Sequence, residues 1–276
     1  MRILINVELS SKMEKYGFKT VEELRLSFGK IAETLCNYTN TAPETIRDIS
    51  FCDTQNYGEV MQTGYEPLCF NIVFAEKLLP MLYNSDFDDT MKAESIIFHE
   101  FCHCKDTSVI AECTELRKLE KDSYNLDELY ANLGYHQWQE YYAHYNSSLI
   151  HPSEYREPKQ INMFLGDYMF AFNQERLFED PDRQIPIYNG VIHPYIRNAV
   201  ILAANNARLH SKDVQDCIDK FANIDKNIGG YFATIQTMLE ERRKTYPEWV
   251  SYEAFKEIGK ALLDIRAETE GNHNME

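Results

Sequence analysis

Within Ser95–Cys104, SIIFHEFCHC, two histidines and a glutamate sit inside an apolar run. On an α-helix, His99 and His103 are four residues apart and share a face, ~6 Å apart along the axis. That spacing suits two imidazole nitrogens on one Zn²⁺ at ~2.0–2.1 Å. Glu100 falls about 60° round the helix from His103, beside the ion rather than on it. A carboxylate there can take a proton from a metal-bound water and return it to a leaving amine. The neighbours Ile96, Ile97, Phe98 and Phe101 predict a buried helix. Burying ionisable groups without partners costs several kcal/mol, and a metal removes that cost. The rival reading is a solvated helix face with two histidines, and it fits the apolar neighbours poorly.

A catalytic zinc needs a third protein ligand and one open position. In the pattern H-E-x-x-H-x-x-G-x-x-H, the last glycine and histidine would fall at 106 and 109. This chain has Asp106 and Val109 there. Asp106 lies ~10 Å along the axis from His99. It is read either as an acceptor holding the His103 ring or as an ordinary polar residue at the helix end. The third ligand is then expected from the next long helix, at WQEYYAHY, as Glu140 in the pattern E-x-x-A with Ala143. Trp138, Tyr141 and Tyr142 suggest burial there, where an unpaired carboxylate is expensive. A solvent-facing or arginine-paired Glu140 is the alternative, with Asp127 and Glu128 as the next candidates. His136 and His144 lie four residues either side of Glu140 and are read as contacts to it or as surface histidines. Cys102 and Cys104 invite a thiolate zinc site, but they diverge by about 160° on a helix and no C-x-x-C pair completes one. They are read as core packing and a shielded thiol.

The elements that must carry these residues follow from local pattern. Arg2–Leu9 reads as a strand. Thr20 reads as the N-cap of a helix reaching about Asn37, with Glu22 and Glu23 in its first turn. Strands are expected at Ile46–Asp53, at Tyr57–Gln62 and at Cys69–Phe74, CFNIVF. Ser85 or Asp86 caps the motif helix, which is expected to fade near Lys105–Thr107. A further helix runs from Leu126 to about Ser147 with a potential break at Gly134. Helical segments follow around 157–176, 194–210, 212–224, 229–244 and 250–268, with a loop at 178–190. A small sheet followed by helices is an α+β arrangement. The division expected is a catalytic domain over 1–152 and a helical region over 153–276, separate or integral to the first.

Lys and Arg number 28 against 44 Asp and Glu, a net charge of −16. That excludes nucleic acid and anionic membrane surfaces as expected partners, because phosphate binding needs clustered positive charge. No signal-peptide core or membrane span is visible. Seven cysteines without a framework rhythm read as free thiols of a reducing cytoplasm.

His99-Glu100-Phe101-Cys102-His103 with a downstream Glu140 resembles the zincin metallopeptidases, in particular the gluzincin branch. The E-x-x-A form followed by SLIHP at 148–152 is loosely similar to the ImmA/IrrE-type metallopeptidases. The resemblance implies a zincin-like mixed sheet before the motif helix. It implies Zn²⁺ held by His99, His103 and Glu140, with Glu100 as general base and then general acid. It also implies a peptide or protein substrate aligned on an upstream edge strand, at 57–62 or 69–74. Larger gluzincins carry an aspartate where this chain has His144, which leaves Asp106 as its substitute. An oxyanion-stabilising group is expected among Tyr141, Tyr145, His193 and Tyr195. The expected function is zinc-dependent peptide-bond hydrolysis. The alternative is a zincin-fold regulatory or binding module with little turnover, against which the intact Glu100 argues. A metal-free helical structural protein is a further rival.

Overall fold

The computed structural model describes residues 1–5, 12–84, 86–120, 125–151, 193–209, 219 and 226–271. These are mixed α and β, with helices predominating over one four-stranded sheet. Contacts divide the chain into two units. One holds Met1–Glu112 and Asn146–His151, and the other Cys113–Tyr145 and Pro152–Glu276. Among the described residues no helix is long and apolar enough to cross a membrane. The segments 157–176 and 178–190 lie outside the described residues, as does 212–224 apart from Asp219.

In the first unit β1 (Arg2–Ile5) is followed by α1 (Val21–Thr39), β2 (Ile46–Cys52), β3 (Gly58–Tyr65) and β4 (Leu68–Ala75). The helices α2 (Leu78–Asn84) and α3 (Phe87–Cys113) come next. The expected first strand thus ends at Ile5 among the described residues. Thr20 caps α1: its hydroxyl accepts from the Glu23 amide at 3.1 Å. Glu23 in turn accepts from the Lys19 amide at 2.7 Å, so two amides at the helix start are satisfied. We expect Thr20→Ala to cost about 1 kcal/mol, read as a lowered urea midpoint with an unchanged slope.

The sheet order is β1-β2-β4-β3. β1, β2 and β4 are parallel, and β3 runs antiparallel to β4. Of the two stretches that could offer a free edge, β4 is internal and β3 is the edge. Leu24, Phe28, Ala32 and Cys36 make one stripe of α1 at helical spacing, and all are buried. Phe28 packs edge-on against Phe51 of β2 and Phe74 of β4, at centroid distances of 4.9 and 5.9 Å. Ala93, Ile97, Phe101 and Cys104 bring α3 into the same core.

The motif helix does not fade at Lys105–Thr107 but continues to Cys113. Asp106, Thr107 and Ile110 are all buried, and the Ser108 hydroxyl bonds back to the Cys104 carbonyl at 2.8 Å. Tertiary burial overrides the weak helix propensity of that run.

The second unit contains α4 (Leu116–Leu119), most of α5 (Leu126–Ser147), α6 (His193–Leu209), α7 (Lys226–Lys244) and α8 (Tyr252–Gly271). α5 is unbroken at Gly134. Gly134 is where α8 crosses: a Cβ on it would strike the Phe255 carbonyl oxygen, and one on Gly259 would strike that of Tyr130. Two facing glycines let the helix backbones touch. Around the crossing, Trp138 packs on Trp249 and Tyr246 at 4.8 and 5.3 Å, and Tyr135 packs on Phe255 at 5.7 Å.

Candidate metal centre

α3 opens at Asp86, whose carboxylate accepts from the Asp89 amide at 3.0 Å; the other cap candidate, Ser85, lies outside the described residues. Asp88 and Asp89 occupy the first turn, where negative charge meets the positive end of the helix dipole. From this start, the core residues Ile97 and Phe101 fall on one side of the helix. His99 lies about 200° and His103 about 240° round from Ile97, away from the core.

The two imidazoles converge. Their Nε2 atoms are 3.0 Å apart, and the rings meet edge-on with centroids 4.6 Å apart. Two nitrogens at 2.0–2.1 Å from a tetrahedral zinc would be separated by about 3.3 Å. The pair therefore needs only a few tenths of an ångström of adjustment to take one ion. Both rings are half-buried.

Glu100 is only 7% exposed. It lies against the first residue of the edge strand: a Cβ on Gly58 would come within 2.6 Å of Glu100 Oε1. Gly58 is thus required by the carboxylate beside it, a role the turn-like sequence DTQNYG conceals. Asp106 is fully buried, two turns beyond His99. Cys102 and Cys104 are buried thiols. Burial pushes Cys102 far above the usual thiol range, with Asp106 and Glu100 adding to it, and Cys104 is raised in the same way. Neither can readily supply the thiolate a cysteine-zinc site requires. The six described cysteines are all free.

Ser95, one turn before His99, donates from its hydroxyl to the Ser147 carbonyl at 3.0 Å and to the His151 carbonyl at 3.3 Å. These bonds tie the last turn of α5 and the residues after it to α3 inside the first unit.

Glu140 belongs to the second unit and is half-buried on α5. His144 Nε2 stands 3.6 Å from Glu140 Oε2, and Arg197 of α6 reaches Glu140 Oε1 at 3.4 Å. The arginine partner weighed for this glutamate in the sequence is therefore present, at the long end of hydrogen-bond range. Nothing in the sequence marks Arg197 as that partner. Of the other candidates, Asp127 pairs with Lys256 at 3.2 Å at the start of α5. The backbone amide of Glu128 is held there by Asn125 at 2.9 Å. Three turns of helix separate Glu128 from Glu140. His136 is exposed, and Tyr141 is buried. The side chains of His193 and Tyr195 lie outside the described residues.

Comparison with protein-family models, with curated proteins and with solved structures finds no match to this chain. The functional reading therefore stands on the motif and its geometry.

Proposed function

We propose that the chain is a zinc-dependent metallopeptidase, with His99, His103 and Glu140 as metal ligands and Glu100 as the acid–base residue. One observation carries the reading: two imidazole nitrogens converge to 3.0 Å on a helix whose adjacent Glu100 is buried against the sheet edge. The donor set is borderline-soft nitrogen plus carboxylate oxygen, which suits zinc. His144, 3.6 Å from Glu140, is the group that orients that carboxylate.

Zinc, when bound, supplies Lewis-acid polarisation of the scissile carbonyl and a water of lowered pKa. Glu100 Oε1 accepts a proton from the attacking water and later delivers it to the amine that leaves. Gly58, by carrying no side chain, leaves that carboxylate its place. β3, as the free edge, offers backbone N–H and C=O groups to an extended peptide. The peptide bond is the substrate class, and the intact Glu100 favours turnover over a purely regulatory role.

The test is metal analysis joined to hydrolysis of a mixed peptide library. One zinc per chain and chelator-sensitive cleavage, restored by added zinc, are expected. A chain purified without chelator that holds no stoichiometric metal and cleaves nothing removes the proposal. Gly58→Ala is a finer probe. Its new methyl meets the Glu100 side chain from Cγ to Oε1 rather than backbone, so the fold should hold while the carboxylate shifts. Zinc content and melting temperature are expected to stay near wild type, with kcat falling by about tenfold to a hundredfold.

A further inference from the structure

The second unit holds a cationic cluster that the proposed chemistry does not use. Arg208 of α6 and Arg243 of α7 both stack on the ring of Tyr145, their guanidinium carbons 4.8 and 4.4 Å from its centroid. Arg208 Nη1 also donates to the Tyr145 hydroxyl at 3.2 Å. The Nε of each arginine is buried and meets no acceptor, and neither guanidinium pairs with a carboxylate among the described residues. Tyr141, one turn before Tyr145 and stacked on it at 6.1 Å, buries its hydroxyl beside the Arg243 guanidinium. Glu240, three residues before Arg243, acts on Tyr141 through its charge and forms no ion pair with either arginine.

This is an unusual arrangement for a chain of net charge −16. Half-buried arginines are ordinarily paired, and two like charges on one ring repel. Aromatic stacking offsets part of that cost. What remains is a set of fork-shaped donors without a carboxylate among the described residues.

We infer that Arg208, Arg243 and Tyr141 form a subsite for a carboxylate of the peptide substrate. A planar carboxylate matches the guanidinium fork and can accept from two donors at once. The placement on α5 ties the cluster to Glu140, the third ligand proposed above. Tyr141 and Tyr145 directly follow Glu140 and His144, about 100° further round the helix. A carboxylate bound there lies beside the helix face that carries Glu140. The inference rests on the peptidase reading for the identity of its ligand. The carboxylate is either the free C-terminus or an acidic side chain.

The test is calorimetric binding to the zinc-loaded Glu100→Gln protein, which reads affinity without turnover. Three N-acetylated peptides of one sequence serve as probes: the free acid, its C-terminal amide, and the amide with glutamate as last residue. Binding of the acid is expected to be about 10- to 100-fold tighter than that of the amide. The glutamate amide binds like the acid if a side chain is the natural source, and like the plain amide if the C-terminus is. In Arg208→Gln and Arg243→Gln the preference should vanish. Arg243→Lys, which keeps the charge and the stacking stem, should keep part of it and guards against a folding defect. Equal affinity for acid and amide, no binding of either, or a preference surviving both glutamine variants overturns the subsite. Hydrolysis of the same peptides by the wild-type protein is scored separately. Cleavage without acid preference removes the subsite alone, and acid preference without cleavage removes the peptidase reading alone.

Discussion

Glu100→Gln is expected to lower peptide hydrolysis by about 10²- to 10⁴-fold, the usual worth of a positioned general base. The replacement is nearly isosteric, so it keeps the fit against Gly58 while removing the proton acceptor. His99 and His103 are untouched, and zinc content should remain at one per chain. The measurement is kcat/KM of both proteins on one cleaved peptide, with metal content determined on the same samples. Equal activity at equal zinc would mean that another group carries the proton. A loss of zinc in parallel with activity would place Glu100 on the ion instead of beside it.

The largest effect on stability is expected at the α5–α8 crossing. A methyl group at Gly259 would strike the Tyr130 carbonyl, and one at Gly134 would strike that of Phe255. Both obstacles are main chain, so no side chain can swing aside. The helices must part, opening the packing of Trp138, Tyr135 and Phe255 around them. We expect Gly259→Ala to cost about 3 kcal/mol, at the upper end for overpacking. Gly259→Val should exceed that and leave the second unit unfolded. Thermal unfolding followed by tryptophan fluorescence reads this directly, because both tryptophans, Trp138 and Trp249, lie beside the crossing. A melting temperature unchanged within a degree or two in Gly259→Ala would show that the helices do not touch there.

Local signals in the sequence located much of the first unit. The Thr20 cap, the β-type run CFNIVF and the apolar spacing through Ile97 and Phe101 each act within a few residues. The sequence leaves the sheet's edge between two stretches, since strand order depends on pairings far apart in the chain. Local pattern ends α3 near Lys105–Thr107 and breaks α5 at Gly134, and the structure does neither. Both errors have one cause. Propensity sees a polar β-branched run or a glycine, whereas burial of Asp106 and contact with Phe255 are decided by distant residues. The converging pair at the candidate centre was legible because both histidines lie on one helix, where spacing alone sets geometry. Gly58 beside Glu100, Arg197 on Glu140 and the two arginines on Tyr145 were not. Each joins segments separated by 40 residues or more, and no local pattern announces them.

An anomalous difference map across the zinc absorption edge, from crystals grown without chelator, tests the metal centre most directly. A single peak is expected within bonding distance of Nε2 of both His99 and His103, with a Glu140 oxygen completing the protein ligands. An ion bound elsewhere, or none in crystals supplied with zinc, with the two imidazoles turned to separate partners, would contradict it.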